Sequence, residues 1–391
     1  MFADDVLLFG EATEAQASCM LNCLERPCKA SGERVSTSKS SLFFSPRVPP
    51  QMKQNLSAMS GMKVTTAIGR YLGFPLTRKR RPTETFQYIV DNVSSRLAMW
   101  KEKSLSRAGR ITLAKSVLSA MPLYPMQVAQ IPHSICLQIE RIQWKFILGH
   151  SESSAGFHPI GWHQITLPKD HGGLGFRRLS SLNDACGAKL MWKLLSGSNS
   201  LWAEVLFNKY MLRNDSDLFS VKTSDSLLWK FITKQRHLVL SGSVWNVRNG
   251  RDVKFFKDRW LLKNTALFEL CTRPLSAEEE ESVVASRTVG RCWDFVRLSE
   301  VLPGNVIQKL IAILPPMIEA GNDFLSWKES KDGAFSVKSA YQLLVNNGVV
   351  VGSAASRLFK GIWKWKGAER IKIFMYVDRI LKSSPYQFLE E

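Results

Sequence analysis

Apolar positions along the chain recur at strand-like spacing near its start and at helical spacing further on. Val6-Leu7-Leu8-Phe9 is an unbroken apolar run closed by Gly10, which predicts a buried strand. Ala17, Met20, Leu21 and Leu24 repeat at helical spacing and predict a helix over 13–33, with Gly32 as its stop and Pro27 as a misfit near its end. Two further short strands are expected at 41–44, ended by Pro46, and at 71–74, ended by Pro75.

Helical spacing then dominates. Phe86, Ile89, Val90, Val93 and Leu97 share one face, and Ile111, Ala114, Val117, Leu118 and Met121 share another that Pro122 stops. Helices continue over 134–149, 181–195, 200–211 and 338–346, and the Gly-, Pro- and His-rich stretch 150–177 reads as loop with a turn at Gly172-Gly173. A small hairpin is expected over 243–260, around Asn249-Gly250, and a second with arms at 324–327 and 334–337 around Asp332-Gly333. No solenoid repeat is present. The pattern predicts an α+β protein, mainly α-helical.

Composition narrows the function classes. The 391 residues are 45% apolar, enough for two or three folded domains. No apolar run approaches the ~20 residues of a spanning helix, and no basic segment with a long apolar core opens the chain. Lys and Arg number 53 against 34 Asp and Glu, a net charge of +19 that favours nucleic acid as partner, although an inert basic surface fits equally well. The acidic run 278–281 reads as a solvated linker or helix face. Seven scattered cysteines with no Cys-x-x-Cys pair point to reduced thiols and an intracellular location, nucleus or cytoplasm. Neither Cys19, Cys23 and Cys28 nor His158, His163 and His171 has structural-zinc spacing.

Asp4-Asp5 carries the sharpest chemical signal. Two adjacent acids in an apolar strand are costly unless they lie at a turn or bind a cation. Neighbouring strand residues face opposite ways, so both acids could serve one site only at the tip of a tight hairpin. Nucleotidyl transfer uses carboxylates in this manner, to hold divalent metals on the attacking and leaving oxygens. An exposed acidic turn is the plain alternative.

Sequence context changes that balance. Met1-Phe2-Ala3-Asp4-Asp5-Val6-Leu7-Leu8-Phe9 is followed by Ser31-Gly32, Ser38-Lys39-Ser40 and Tyr71-Leu72-Gly73-Phe74-Pro75-Leu76. Trp100-Lys101, Leu105-Ser106-Arg107-Ala108-Gly109-Arg110 and Lys115-Ser116-Val117-Leu118 come next. Gly172-Gly173-Leu174-Gly175, the span from Trp245 to Trp260, Gly333-Ala334-Phe335-Ser336-Val337-Lys338-Ser339-Ala340-Tyr341 and Ile362-Trp363-Lys364-Trp365 complete the series. In order and spacing, nearly the whole chain resembles the C-terminal part of a plant LINE-type (non-LTR) retrotransposon reverse transcriptase.

The resemblance implies roles. Asp4 and Asp5 would be palm acids binding Mg²⁺, the metal of the intact family enzyme. Lys39 would lie near the incoming nucleotide's phosphates, or else be a solvated lysine after a serine-rich loop. Leu72 and Gly73 would belong to a segment that grips the primer, or to a simple strand-end turn. Arg78, Lys79, Arg80, Arg81, Lys103, Arg107, Arg110 and Lys115 would sit on or before a helical thumb and meet the phosphate backbone of RNA or DNA without sequence preference, a solvated basic face being the alternative. Trp245, Trp260, Trp327, Trp363 and Trp365 could stack on bases, but core packing suits most of them better.

It also implies four segments: palm remnant 1–82, thumb-like region 83–150, helical connection 151–320, and the start of a reverse-transcriptase zinc-binding domain, 321–391. The pattern departs from the family at both ends. The upstream palm aspartate, the fingers and a ribonuclease H domain lie outside the chain. No Cys follows Cys292, no His follows His237, and Tyr376 stands where tryptophan is usual, so no zinc is expected. The expectation is a fragment of an RNA-directed DNA polymerase, catalytically incomplete by itself. Its alternatives are a non-specific nucleic-acid-binding remnant and a decayed product without selected function.

Overall fold

In a computed structural model of the chain, residues 6–76, 82–100, 105–149, 161–197, 200–212, 219–346 and 353–383 are described. They belong to two units, 1–85 and 86–391. Among the described residues helices dominate and each sheet has two strands, an α+β protein that is mainly α-helical.

In the first unit, Thr13 starts α1 (Glu14–Ser31) by accepting the Gln16 amide on its side chain. Gly32 ends it at φ 79° and donates its N–H to the Cys28 carbonyl. The helix runs through Pro27. β1 (Ser41–Phe43), α2 (Pro50–Ser60) and β2 (Lys63–Thr65) form a unit with parallel strands, Leu42 opposite Val64, because the helical crossover returns the chain in the same direction. β3 (Gly69–Tyr71) and β4 (Phe74–Leu76) form an antiparallel hairpin.

Two expectations change here. The strand expected at 71–74 is the hairpin turn itself: Tyr71 pairs with Phe74, and Leu72 and Gly73 form the loop at φ 49° and 80°. Positive φ at both positions is what a two-residue turn needs to match the strand twist. Pro75 sits within β4, tolerated because a two-stranded hairpin has only edge strands. The strand expected at 6–9 does not form; Val6 is 49% and Phe9 84% exposed. A strand needs a neighbouring backbone, and no described strand pairs with this segment.

The second unit begins within α3 (Pro82–Ala98), which buries Phe86, Ile89, Val90 and Val93 as the periodicity requires. Ser106 caps α4 (Arg107–Leu113) through the Gly109 amide. The helix then widens into a π turn, Ala114–Leu118, where Ser119 N–H reaches the Ala114 carbonyl five residues back. α5 (Leu123–Met126), α6 (His133–Leu148) and α7 (Trp162–Thr166) follow. α7 and a 3₁₀ turn, Lys169–His171, lie inside the stretch expected to be loop.

α8 (Leu179–Leu195) is the central helix. It packs against α5 and α6, and against two later helices, α10 (Leu227–Lys234) and α11 (Arg236–Gly242), which come after α9 (Leu201–Leu206). A Cβ on Gly187 of α8 would crowd the Phe231 ring at 2.7 Å, so glycine permits that approach. The buried Glu140 carboxylate of α6 accepts the Leu179 amide at 2.5 Å and caps α8.

β5 (Ser243–Asn246) does not belong to a local hairpin. Its antiparallel partner, reached after α12 (Ala277–Glu281), β6 (Thr288–Val289), β7 (Cys292–Trp293), α13 (Phe295–Ser299) and α14 (Gly304–Ile311), is β8 (Phe324–Trp327). Asp323 explains the departure. Its nearly buried carboxylate accepts the amides of Arg248, Gly250 and Asp252 at 2.6, 2.9 and 3.1 Å, so that loop needs no partner strand. Val253, Phe255 and Phe256 instead enter an apolar cluster with Trp260 and Trp293.

The second expected hairpin is likewise only half formed. The Asp332-Gly333 turn closes, with Trp327 N–H on the Gly333 carbonyl, but residues 334–336 form no strand and lead into α15 (Val337–Asn346). Ser336 accepts the Ser339 amide and starts that helix, which packs on α8. α16 (Ser353–Lys364) and α17 (Glu369–Ser383) close the chain. No described helix is long and apolar enough to cross a membrane.

Candidate nucleic-acid interface

The Gly172-Gly173-Leu174-Gly175 segment gathers groups from three regions of the second unit. A Cβ on Gly173 would overlap the Leu167 carbonyl, and one on Gly172 would press on the Phe359 ring of α16 at 2.7 Å. The Gly172 carbonyl accepts two hydrogen bonds, from Gln164 Nε2 at 2.8 Å and from the Tyr376 hydroxyl of α17 at 3.1 Å. Burial raises the Tyr376 phenol well above its ordinary value, so it keeps the proton it donates.

A groove of 530 Å³ lies beside this segment, lined by the π turn, the 174–177 backbone, α17 and Trp363. Lys115 enters it from the π turn and donates to the Leu174 carbonyl at 2.5 Å. Gly175 turns the backbone there at φ 67°, a conformation that favours glycine; a Cβ would make only ordinary contact with Lys115 Nζ and Lys169 Cγ at 3.5 and 3.6 Å. Lys169 lies over the Trp363 ring, its Nζ 4.3 Å from the centroid.

The electrostatics of the groove are lopsided. Burial first, then the like charges of Lys169 and Arg177, lower Lys115 to about 8, with Glu369 opposing them. Glu369 is shared, because Lys372 donates to it at 2.9 Å and holds its carboxyl below the usual range. Among the described side chains, three cations therefore face a groove served by one carboxylate. The nearby Thr112, Ser116 and Ser119 hydroxyls donate to helix carbonyls of Ala108, Thr112 and Ala114. Donors for an entering anion come from the cations.

Of the residues singled out in the sequence, Asp4, Asp5, Arg78, Lys79, Arg80, Arg81, Lys103 and His158 lie outside the described residues. Lys39 is exposed in a turn, its amide on the Ser36 carbonyl. Leu72 and Gly73 form the β3–β4 tip. Arg107 is exposed, whereas Arg110 turns inward and its guanidinium occupies the space above Gly149. Lys115 is half-buried in the groove. Lys169 and Arg177 were not anticipated; their only sequence signal is that they flank the glycine-rich motif. Trp260 and Trp327 are buried and Trp245 packs on the Phe255 cluster, while Trp363 lines the groove and Trp365 is 46% exposed.

Three acids of α12 pair within the fold. Ser276 and Glu279 form a capping box on α12, and Arg273 holds Glu279 at 2.7 Å, lowering that carboxyl to about 2. Lys257 meets Glu280 and Glu281, and Lys254 meets Glu281. Within the run 278–281, Glu279, Glu280 and Glu281 thus have fixed partners on and beside α12. Among the described residues, no three His, Cys, Asp or Glu side chains are placed to hold a metal ion.

No family model matches the chain. It is 36% identical over 307 residues to an Arabidopsis thaliana protein that carries the provisional name ribonuclease H protein. That alignment covers 78% of this chain and 49% of the relative, so the chain spans about half of that protein's length. It is also 27% identical over 149 residues to an uncharacterized mitochondrial protein of the same plant, covering 38% of this chain and 97% of that relative. The chain is a relative of plant proteins.

Proposed function

We propose that the chain derives from a plant LINE-type retrotransposon reverse transcriptase and holds RNA or DNA by the phosphate backbone, without reading base sequence. The observation that carries this reading is the distribution of charge. The chain has an excess of 19 cations, and in the second unit Glu279, Glu280 and Glu281 are tied to internal partners while Arg107, Lys169 and Arg177 are exposed. Exposed Lys and Arg release counterions on meeting phosphates, a contribution independent of sequence. Similarity to a relative named ribonuclease H protein, together with the ordered series of polymerase-like motifs, supports the retrotransposon origin.

Filter binding against RNA and DNA homopolymers tests the reading. Affinity should fall by about a thousandfold between 50 and 200 mM salt if some six phosphates are contacted, with little difference among homopolymers. Binding indifferent to salt would sink it. Primer extension with Mg²⁺ is the companion assay, since Asp4 and Asp5 are the residues that would hold the metal. Extension abolished by Asp4→Ala would replace the binding reading with a polymerase.

A further inference from the structure

We propose that the groove between the π turn, the 174–177 segment and α17 binds a nucleoside monophosphate, its phosphate on Lys115, Lys169 and Arg177 and its base against the apolar floor. The site goes beyond backbone binding, because it takes one nucleotide in a pocket and not a strand along a surface.

Three observations converge on it. The first is unbalanced charge held in place. Lys115, Lys169 and Arg177 line one concavity in which, among the described side chains, Glu369 is the one carboxylate, already shared with Lys372. Like charges brought together around one shared carboxylate are costly, and an anion removes that cost.

Donor geometry is the second. Lys115 uses one N–H on the Leu174 carbonyl, which fixes its ammonium and leaves two more for a ligand. Arg177 adds a planar fork suited to phosphate oxygens.

Size and floor are the third. A volume of 530 Å³ exceeds the needs of a bare phosphate and lies within the ~300–1,000 Å³ typical of small-molecule sites. Ile111, Leu123, Phe176 and Ile373 supply the apolar floor, and Trp363 an aromatic wall. A phosphate joined to a flat heterocycle satisfies both halves.

The nucleotide could be free or the 5′ end of a strand, and calorimetry on the full chain separates the two. With dAMP, binding is expected; with deoxyadenosine, none. Arg177→Ala and Lys169→Ala, both at exposed positions, should each weaken dAMP about tenfold, the loss of one charge-assisted hydrogen bond. Lys169→Arg should retain binding, and Lys309→Ala, exposed on α14 and outside the groove, should leave dAMP unchanged. A 5′-phosphorylated octamer that outbinds its 5′-hydroxyl twin identifies strand ends as the source; equal binding of the two octamers identifies the free nucleotide. Absence of dAMP binding, or dAMP affinity unmoved by Arg177→Ala and Lys169→Ala, overturns the proposal. Salt-dependent strand binding without dAMP binding would remove the groove alone and leave the backbone reading intact.

Discussion

The two units solve the problem of burial very differently. Among the described residues of the first, Leu56 is the one buried apolar side chain, while Phe9, Val35, Met59 and Val64 are exposed. α1 buries nothing, and the strands are three residues long. The second unit stacks Tyr210 on Trp229, sets Trp327 against Trp192 and Phe335, and packs Trp260 against Trp293. Both use well-formed caps and turns. Local signals alone therefore fix where elements start and stop, but apolar contact decides how firmly they are held.

The largest expected effect is in native-state hydrogen exchange. Amides of α8 should exchange only through global opening, and those of α1 through local fraying, with rates differing by about a thousandfold or more. Equal protection of the two helices would remove the contrast. Next comes Trp327→Ala. The indole is fully buried, donates to Ser339 Oγ at 2.9 Å and fills the space beside Gly242. Its loss should destabilise the second unit by about 3–5 kcal/mol in urea titration. A loss under ~1 kcal/mol would mean that this core is looser than its packing indicates.

Glu140→Leu should cost about 1–3 kcal/mol, since it leaves the Leu179 amide buried without an acceptor. An unchanged midpoint would show that the cap at α8 is dispensable. In the first unit the sign reverses. Leu72 holds φ 49°, a conformation that costs a side-chain-bearing residue roughly 1–2 kcal/mol. Leu72→Gly should recover part of that, about 1 kcal/mol, visible as slower exchange of the β3–β4 amides. Faster exchange would indicate that the leucine side chain contributes more than its backbone costs.

A last effect is a pH dependence. Lys115 is lowered in the fold to about 8 from an ordinary 10.5. Below pH 8 it is protonated folded and unfolded, so its burial penalty is fully present. Between 8 and 10.5 the folded chain releases the proton while the unfolded chain keeps it, and stability rises with pH. Lys115→Met removes this contribution, so wild type should gain on the variant across that window. The charges facing the ammonium are Lys169, Arg177 and Glu369. A constant difference between the two proteins would show that the ammonium is better solvated than its burial implies.

Much of this architecture was readable in the sequence because it is local. The face of α3, the face that α4 shares with its π turn, the Gly32 stop and the Asp332-Gly333 turn all follow from periodicity or turn chemistry. What could not be read depends on distant partners. The pairing of Ser243 with Trp327 crosses most of a domain, and Asp323 supplies the acceptors that make the 248–252 loop stable without a strand. The turn at Leu72 was masked by its apolar side chain, which reads as strand. Of the groove, Lys115 was visible as a basic helix residue, but Lys169 and Arg177 gain meaning only when α16 and α17 return to cover the glycine-rich segment.

That return has a consequence for synthesis. Gly172 receives the Tyr376 hydroxyl from 204 positions later. At ~5–20 residues per second, a ribosome needs about 10–40 s to deliver that partner. Through this interval the Gly172 carbonyl has its Gln164 donor alone and the bed for Phe359 is uncovered until α16 arrives, so a nascent chain released before α16 and Tyr376 should present that surface to chaperones.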